Sequence, residues 1–268
     1  MSYATLISLL AGLTVIFSLS WLNKRGKIGK GTAVLASFVL IAAGNFYYFG
    51  YVAPLQQQQA RLAEAEQRLA TMPVYRTIKI QQPVLYQKLH QEFMHALEQG
   101  SSESQALEHL RPMLADLLNQ RISRAGNQQL HDYMAVALEE MKVLRQKDAE
   151  LCFRYLFPQI EGGVNTAEVL PRALTDREMA TLDDFLLHSH GAEQPVNVAK
   201  GREELQAIVR TLYGKWGSAL QTLNAPTEPD ADKGKLCDMT IDLYQSVLAL
   251  PVNNSAEVLR IILDGNAS

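Results

Sequence analysis

Two runs of twenty residues without a charged side chain, Tyr3–Leu22 and Thr32–Tyr51, open the chain and stand nine residues apart. A helix rises about 1.5 Å per residue, so each run reaches about 30 Å, the thickness of a bilayer's hydrocarbon core. A transmembrane hairpin is therefore expected over residues 1–54, with spans at about 3–22 and 32–51. Two buried core helices are the alternative, but two charge-free twenty-mers in such close succession are uncommon in a soluble core. A secretory signal would place its basic residues ahead of a shorter apolar stretch; here they follow it, so retention of the segment is expected.

Charge sets the expected orientation. All four charged residues before position 55 are basic, Lys24, Arg25, Lys27 and Lys30, and all fall in the connecting loop 23–31. By the positive-inside rule that loop is cytoplasmic, both termini lie across the membrane, and in a bacterium the body is periplasmic in an inner-membrane protein. A cytoplasmic body is the alternative, because the rule is a bias. Trp21, Phe46, Tyr47, Tyr48, Phe49 and Tyr51 suit the interfacial zone, where an apolar ring and a polar tip are both satisfied. With the four basic residues they make up the expected membrane interface. Ala11, Gly12 and Gly44 are small enough to let two helices approach, and Asn45 could bond between them.

Past Pro54, expected to mark the membrane exit, the character changes: 21 Lys and Arg stand against 28 Asp and Glu, a net charge of −7. Such a body lacks the basic stripe that displaces counterions from nucleic acid, so nucleic acid is not expected as a partner. Residues 55–73 read as a juxtamembrane stalk helix of strong helix formers. Leu55, Leu62 and Leu69 recur every seven residues, which would allow homo-oligomerisation through 55–72, or equally a helix packed on the body.

Residues 74–268 read as an all-helical soluble domain. Between Pro73 and Pro83, the alternation Val74, Arg76, Ile78, Ile80 predicts the one strand-like stretch. Ser102 with Gln105, and Thr175 with Glu178, have capping-box spacing. Gly100 suits a left-handed cap, and Asp148 suits the start of a short helix stopped by Pro158. Leu205, Ile208, Val209, Leu212, Tyr213, Trp216 and Leu220 follow the clearest 3.6-residue period and predict a core helix. The irregular segment 159–174, with Gly162-Gly163, either splits the body into two subdomains or lies inside one bundle. The expected fold is all-α: a two-helix transmembrane hairpin, a juxtamembrane helix and a helical bundle.

The chain lacks a glycine-rich phosphate loop, GxSxG, HExxH and CxxC, so no catalytic, cofactor-binding or metal site is assigned. Asp184 and His188 lie one helical turn apart near His190, yet histidines in a last turn are stabilised by the helix's negative end without a metal. Cys152 and Cys237 would close a disulfide in an oxidising compartment; as separately buried thiols they would act as small hydrophobes. Phe153, Tyr155 and Phe157 alternate around Arg154, which spreads the rings over more than one helix face; a short helix buried on all sides is the leading reading, and exposure of some rings to a partner protein is the alternative. Adjacent carboxylates such as Glu139-Glu140 and Asp183-Asp184 diverge on a helix and read as solvated faces. The expected function is non-catalytic: a membrane-anchored interaction or scaffold protein, with the bilayer and another envelope protein as partners. A membrane-anchored enzyme, or a small subunit regulating others through its hairpin, is the alternative.

Overall fold

In a computed structural model of the protein, residues 3–227 and 232–263 are described, and all their regular structure is helical, with no strand. The chain divides into two compact units, with the division between Ala65 and Glu66.

In the first unit, α1 (Tyr3–Lys24) and α2 (Lys30–Tyr47) pack against each other. Between them the chain turns at Gly26, whose φ of 73° lies in the left-handed region that glycine enters without a Cβ clash. A π-helical segment, Tyr48–Val52, leads directly into α3 (Ala53–Thr71), so the helix runs unbroken from Lys30 to Thr71. Pro54 therefore lies within a continuous helix. The wider π turn lets the Ala53 N–H reach back to the Tyr48 carbonyl just where the proline ring, which lacks an N–H, would disrupt an α-helical ladder.

The second unit continues through α4 (Pro73–Gln81), α5 (Pro83–Glu98), α6 (Glu103–His109), α7 (Arg111–Arg121) and a 3₁₀ turn at Ile122–Arg124. It then runs through α8 (Asn127–Lys147), α9 (Ala149–Leu156), α10 (Pro158–Glu161), α11 (Thr166–Val169) and α12 (Arg172–Leu187). α13 (Val198–Trp216), a 3₁₀ stretch at Gly217–Asn224, α14 (Lys233–Leu248) and α15 (Val252–Leu263) complete it. The segment 224–232, whose sequence NAPTEPDAD reads as a loop, lies partly outside the described residues. α8 is the hub: α9, α12, α14 and α15 all pack on it, and Leu130, Met134, Val136, Ala137, Leu138, Glu140, Met141 and Leu144 are buried. A helix buried on several faces occupies the middle of a bundle.

Several local signals act as their chemistry dictates. Ser102 accepts from the Gln105 N–H while the Gln105 side chain takes the Ser102 N–H, a complete capping box. Asp148 caps α9 through the Glu150 N–H, and Asp232 caps α14 through the Lys235 N–H. Gly100 carries a φ of 93° past the end of α5.

Three local expectations are corrected. The strand-like stretch is helix α4, in which Val74, Tyr75, Thr77 and Ile78 are buried at helical spacing. Ile80, needed for period two, is 78% exposed, and Pro73 sits at a helix N-terminus, where it is tolerated. α12 starts at Arg172 after Pro171, not at Thr175; the Thr175 hydroxyl donates to the Arg172 carbonyl, and Glu178 turns towards Arg111. Finally, α13 is not core on its whole apolar face: Ile208 and Leu212 are buried, but Val209 is 41% and Tyr213 54% exposed. α13 packs chiefly on α14 and α15, and Gly201, Ile208 and Leu212 are its buried residues.

Candidate functional site

In the first unit the apolar side chains face outward. Leu13, Phe17, Val34, Leu35, Phe38 and Phe46 are each more than half exposed. Among the described residues, one helix is long and apolar enough to cross a membrane: Lys30–Thr71, near the N-terminus, with 6% of its apolar window buried. Where α1 and α2 meet, the Ser8 hydroxyl donates to Asn45 Oδ1 at 2.7 Å, and Asn45 Nδ2 donates to the Ile41 carbonyl at 2.8 Å. Gly12 lies beside the Ile41 methyl. A Cβ added at Gly44 would meet nothing within 4 Å among the described residues.

The expected interfacial residues sit at the ends of the two helices. Lys24 ends α1, Arg25 and Lys27 lie in the turn, and Lys30 begins α2. The Arg25 guanidinium stacks 3.7 Å above the half-exposed Trp21 ring. At the other end Phe46, Tyr47, Phe49 and Tyr51 are exposed, Tyr47 stacks on Tyr51, and Tyr48 meets Phe49 edge to face.

The second unit holds a polar cluster inside its bundle, built by six helices. Glu140 and Tyr133 come from α8, Tyr155 from α9, Glu178 from α12, Arg111 from α7, Glu108 from α6 and Tyr75 from α4. Glu140 is 1% exposed, which overturns its expected place on a solvated face; Glu139 alone is exposed there. The Tyr155 hydroxyl donates to Glu140 Oε2 at 2.7 Å, and Oε1 is buried without a partner. Arg111 bonds Glu108 at 3.1 Å and the Thr166 hydroxyl, and its charge stands 3.8 Å from Glu178.

Burial, followed by the charge of the adjacent Glu178, pushes the Glu140 carboxyl up to about 8. A protonated Glu140 can donate from its otherwise unpartnered oxygen to Glu178, whereas an ionised one leaves that oxygen buried and repelled. Burial likewise keeps the Tyr75, Tyr133 and Tyr155 hydroxyls protonated well above the ordinary tyrosine range. Periodicity carried the signal for this cluster: Glu140 lies three residues after Ala137 and four before Leu144 on the buried face of α8.

The aromatic segment faces inward, as its leading reading has it, and not towards the alternative of a partner surface. Phe153 is 2% exposed and packs with Leu236 and Met239; Phe157 lies against that group, and Tyr155 is committed to Glu140. The rings spread over several faces because α9 is covered from several sides, by α8, α10 and α14. Cys152 and Cys237 are joined by a disulfide between α9 and α14, with Cα atoms 6.1 Å apart and both residues fully buried. Polar bonds reinforce α14: Arg145 makes a bidentate pair with Asp238, and Lys233 bridges Glu150 and Glu161.

His188 pairs with Asp184 at 3.1 Å, and His190 is exposed. Among the described residues no three His, Cys, Asp or Glu side chains converge on a metal-sized site. Of the stalk leucines, Leu55 is 44% exposed while Leu69 is fully buried, so Leu69 belongs to the protein's own core. No protein-family model, curated protein or solved structure matches the chain.

Proposed function

We propose that this chain is a two-span membrane-anchored interaction protein whose helical domain lies in the periplasm of a bacterium and engages another envelope protein. The observation that carries the reading is the contrast between the two units. Large apolar side chains are mostly turned outward along residues 10–51 and mostly buried in the bundle. An apolar surface of that extent is stable only against lipid or another apolar surface, and both helices have the length for lipid. In this reading α1 is the second span, paired with α2 through Ser8 and Asn45, a polar contact well suited to a membrane interior.

Two independent features support the same side for the body. The basic loop favours the cytoplasm, which sends residue 55 onward across the membrane. A buried disulfide between distant helices belongs to an oxidising compartment, and the periplasm is one. The disulfide-tied bundle suits a docking module, and neither the cleft lined by Tyr86 and His90 nor the one lined by Arg121 and Arg124 includes the polar cluster.

The test is copurification with and without the native anchor. Crosslinking in intact cells followed by solubilisation in mild detergent is expected to recover a stoichiometric partner. A version carrying an unrelated two-span anchor of the same topology should still recover it. Recovery of the protein alone in several detergents would contradict the proposal, and loss of the partner on anchor exchange would move the interaction from the bundle to the hairpin.

A further inference from the structure

Arg121 ends α7, and Arg124 closes the 3₁₀ turn that follows. Arg121 is 5% exposed, yet it makes no hydrogen bond or ion pair among the described residues, and its Nη1 is wholly buried. A guanidinium withdrawn from water without a carboxylate costs several kcal/mol unless something else compensates it. The end of α7 does not: the Arg121 and Ile122 carbonyls are taken by the Ala125 N–H. Burial, and after it the charge of Arg124, pulls Arg121 below the ordinary arginine range, so a second cation is close by.

Both arginines line one polar cleft with Gln82, Asn119, Gln120, Ser123 and Glu193. Its volume, about 510 Å³, suits a small ligand. One wall is fixed by Gln194, whose N–H donates to the Ser123 carbonyl at 2.9 Å and whose amide reaches the Arg124 carbonyl. Glu193 is exposed and pairs with neither arginine.

We propose that this cleft is a binding site for a phosphate-type oxyanion, with Arg121 and Arg124 as its cationic clamp. An anion seated between two guanidiniums is attracted to both; a phosphomonoester dianion balances the pair, and a phosphodiester monoanion balances one of the two charges and binds more weakly. A tetrahedral phosphate presents several acceptor oxygens to planar guanidinium forks, and the amides of Gln82, Asn119 and Gln120 can donate to oxygens left over. Glu193 at the rim can accept from a hydroxyl, so a phosphate carried on a polyol, soluble or as a lipid headgroup, is the favoured form and inorganic phosphate its minimal probe. The proposal does not depend on how the chain is anchored.

The experiment uses the full chain in nanodiscs of zwitterionic lipid, melted with increasing inorganic phosphate or with chloride at matched ionic strength. A parallel arm replaces part of the lipid with phosphatidylglycerol. A melting temperature that climbs with phosphate and not with chloride is expected, since a ligand held only by the folded state stabilises it by mass action. Arg124→Ala, an exposed position, should weaken the response about tenfold or more without lowering the phosphate-free melting temperature, since it removes a charge that repels Arg121. Arg121→Met should abolish the response without lowering the phosphate-free melting temperature, because it removes an uncompensated charge; a purely structural arginine would give a loss. A response confined to phosphatidylglycerol and cancelled by Arg124→Ala identifies the headgroup as the source. No response in either arm, or one unaltered in Arg124→Ala, overturns the proposal, and the Arg124 variant decides the matter if Arg121→Met does not fold.

Discussion

A carboxyl group that is 1% exposed, with a tyrosine hydroxyl on one oxygen and nothing on the other, is stable only while it keeps its proton. Glu140 holds that proton to about pH 8 in the folded protein, against an ordinary value of 4.5. The folded state therefore binds more protons than the unfolded chain between those values. The contribution is fully present below pH 4.5 and declines as pH rises towards 8, by at most about 1.4 kcal/mol per unit. Denaturant titrations across this range should show the decline in the native protein and its absence in Glu140→Gln; parallel curves would remove Glu140 as the cause. Tyr155→Phe should cost about 1–3 kcal/mol, with the larger loss at the alkaline end, because it strips the remaining donor from an ionising carboxylate. The burial of Glu140 was legible from its place in the period of α8. Its partners were not, since Arg111, Tyr155 and Glu178 come from three other helices and no local spacing links them.

Local chemistry announced the helices that begin with a cap and end at Gly100 or Pro158, where a few adjacent residues settle the backbone. It misled at α4, where a nine-residue segment satisfies both a two-residue and a helical period and only tertiary burial of Tyr75 and Thr77 decides between them. Contact between elements lies beyond such signals. Gly201 is an example: on α13 it faces α15, where an added Cβ would stand 2.5 Å from the Ile261 methyl and 3.4 Å from the Glu257 backbone. Gly201→Ala is expected to be near neutral, since the gain in helix propensity offsets a small shift of Ile261, whereas Gly201→Leu should cost about 2 kcal/mol or more. Equal melting temperatures for the two variants would contradict that packing. The disulfide ties α9 to α14 across 85 residues of sequence, a loop whose closure is worth about 4–5 kcal/mol in the chain-entropy picture. The double variant Cys152→Ala/Cys237→Ala should lose about 2–5 kcal/mol in equilibrium unfolding, and the native protein should match it only after unfolding in reductant, because both sulfurs are buried.

At the scale of the whole molecule, the all-helical class was legible in hydrophobic periodicity and in the near absence of strand patterns. The spread of Phe153 and Phe157 over several faces pointed to a short helix enclosed on all sides, as found, but two-residue spacing does not say which helices enclose it. The proposed anchoring joins three separate facts: charge-free helices with outward apolar faces, a basic turn between them, and a disulfide in the body. Labelling intact bacterial cells with a membrane-impermeant maleimide tests all three together, with a single cysteine introduced at Ile28 in the turn or at Gln99 in the body. Gln99→Cys is expected to label in intact cells and Ile28→Cys only after the membrane is permeabilised. Labelling of the turn from outside, or protection of the body until permeabilisation, would contradict the placement of this protein across the membrane.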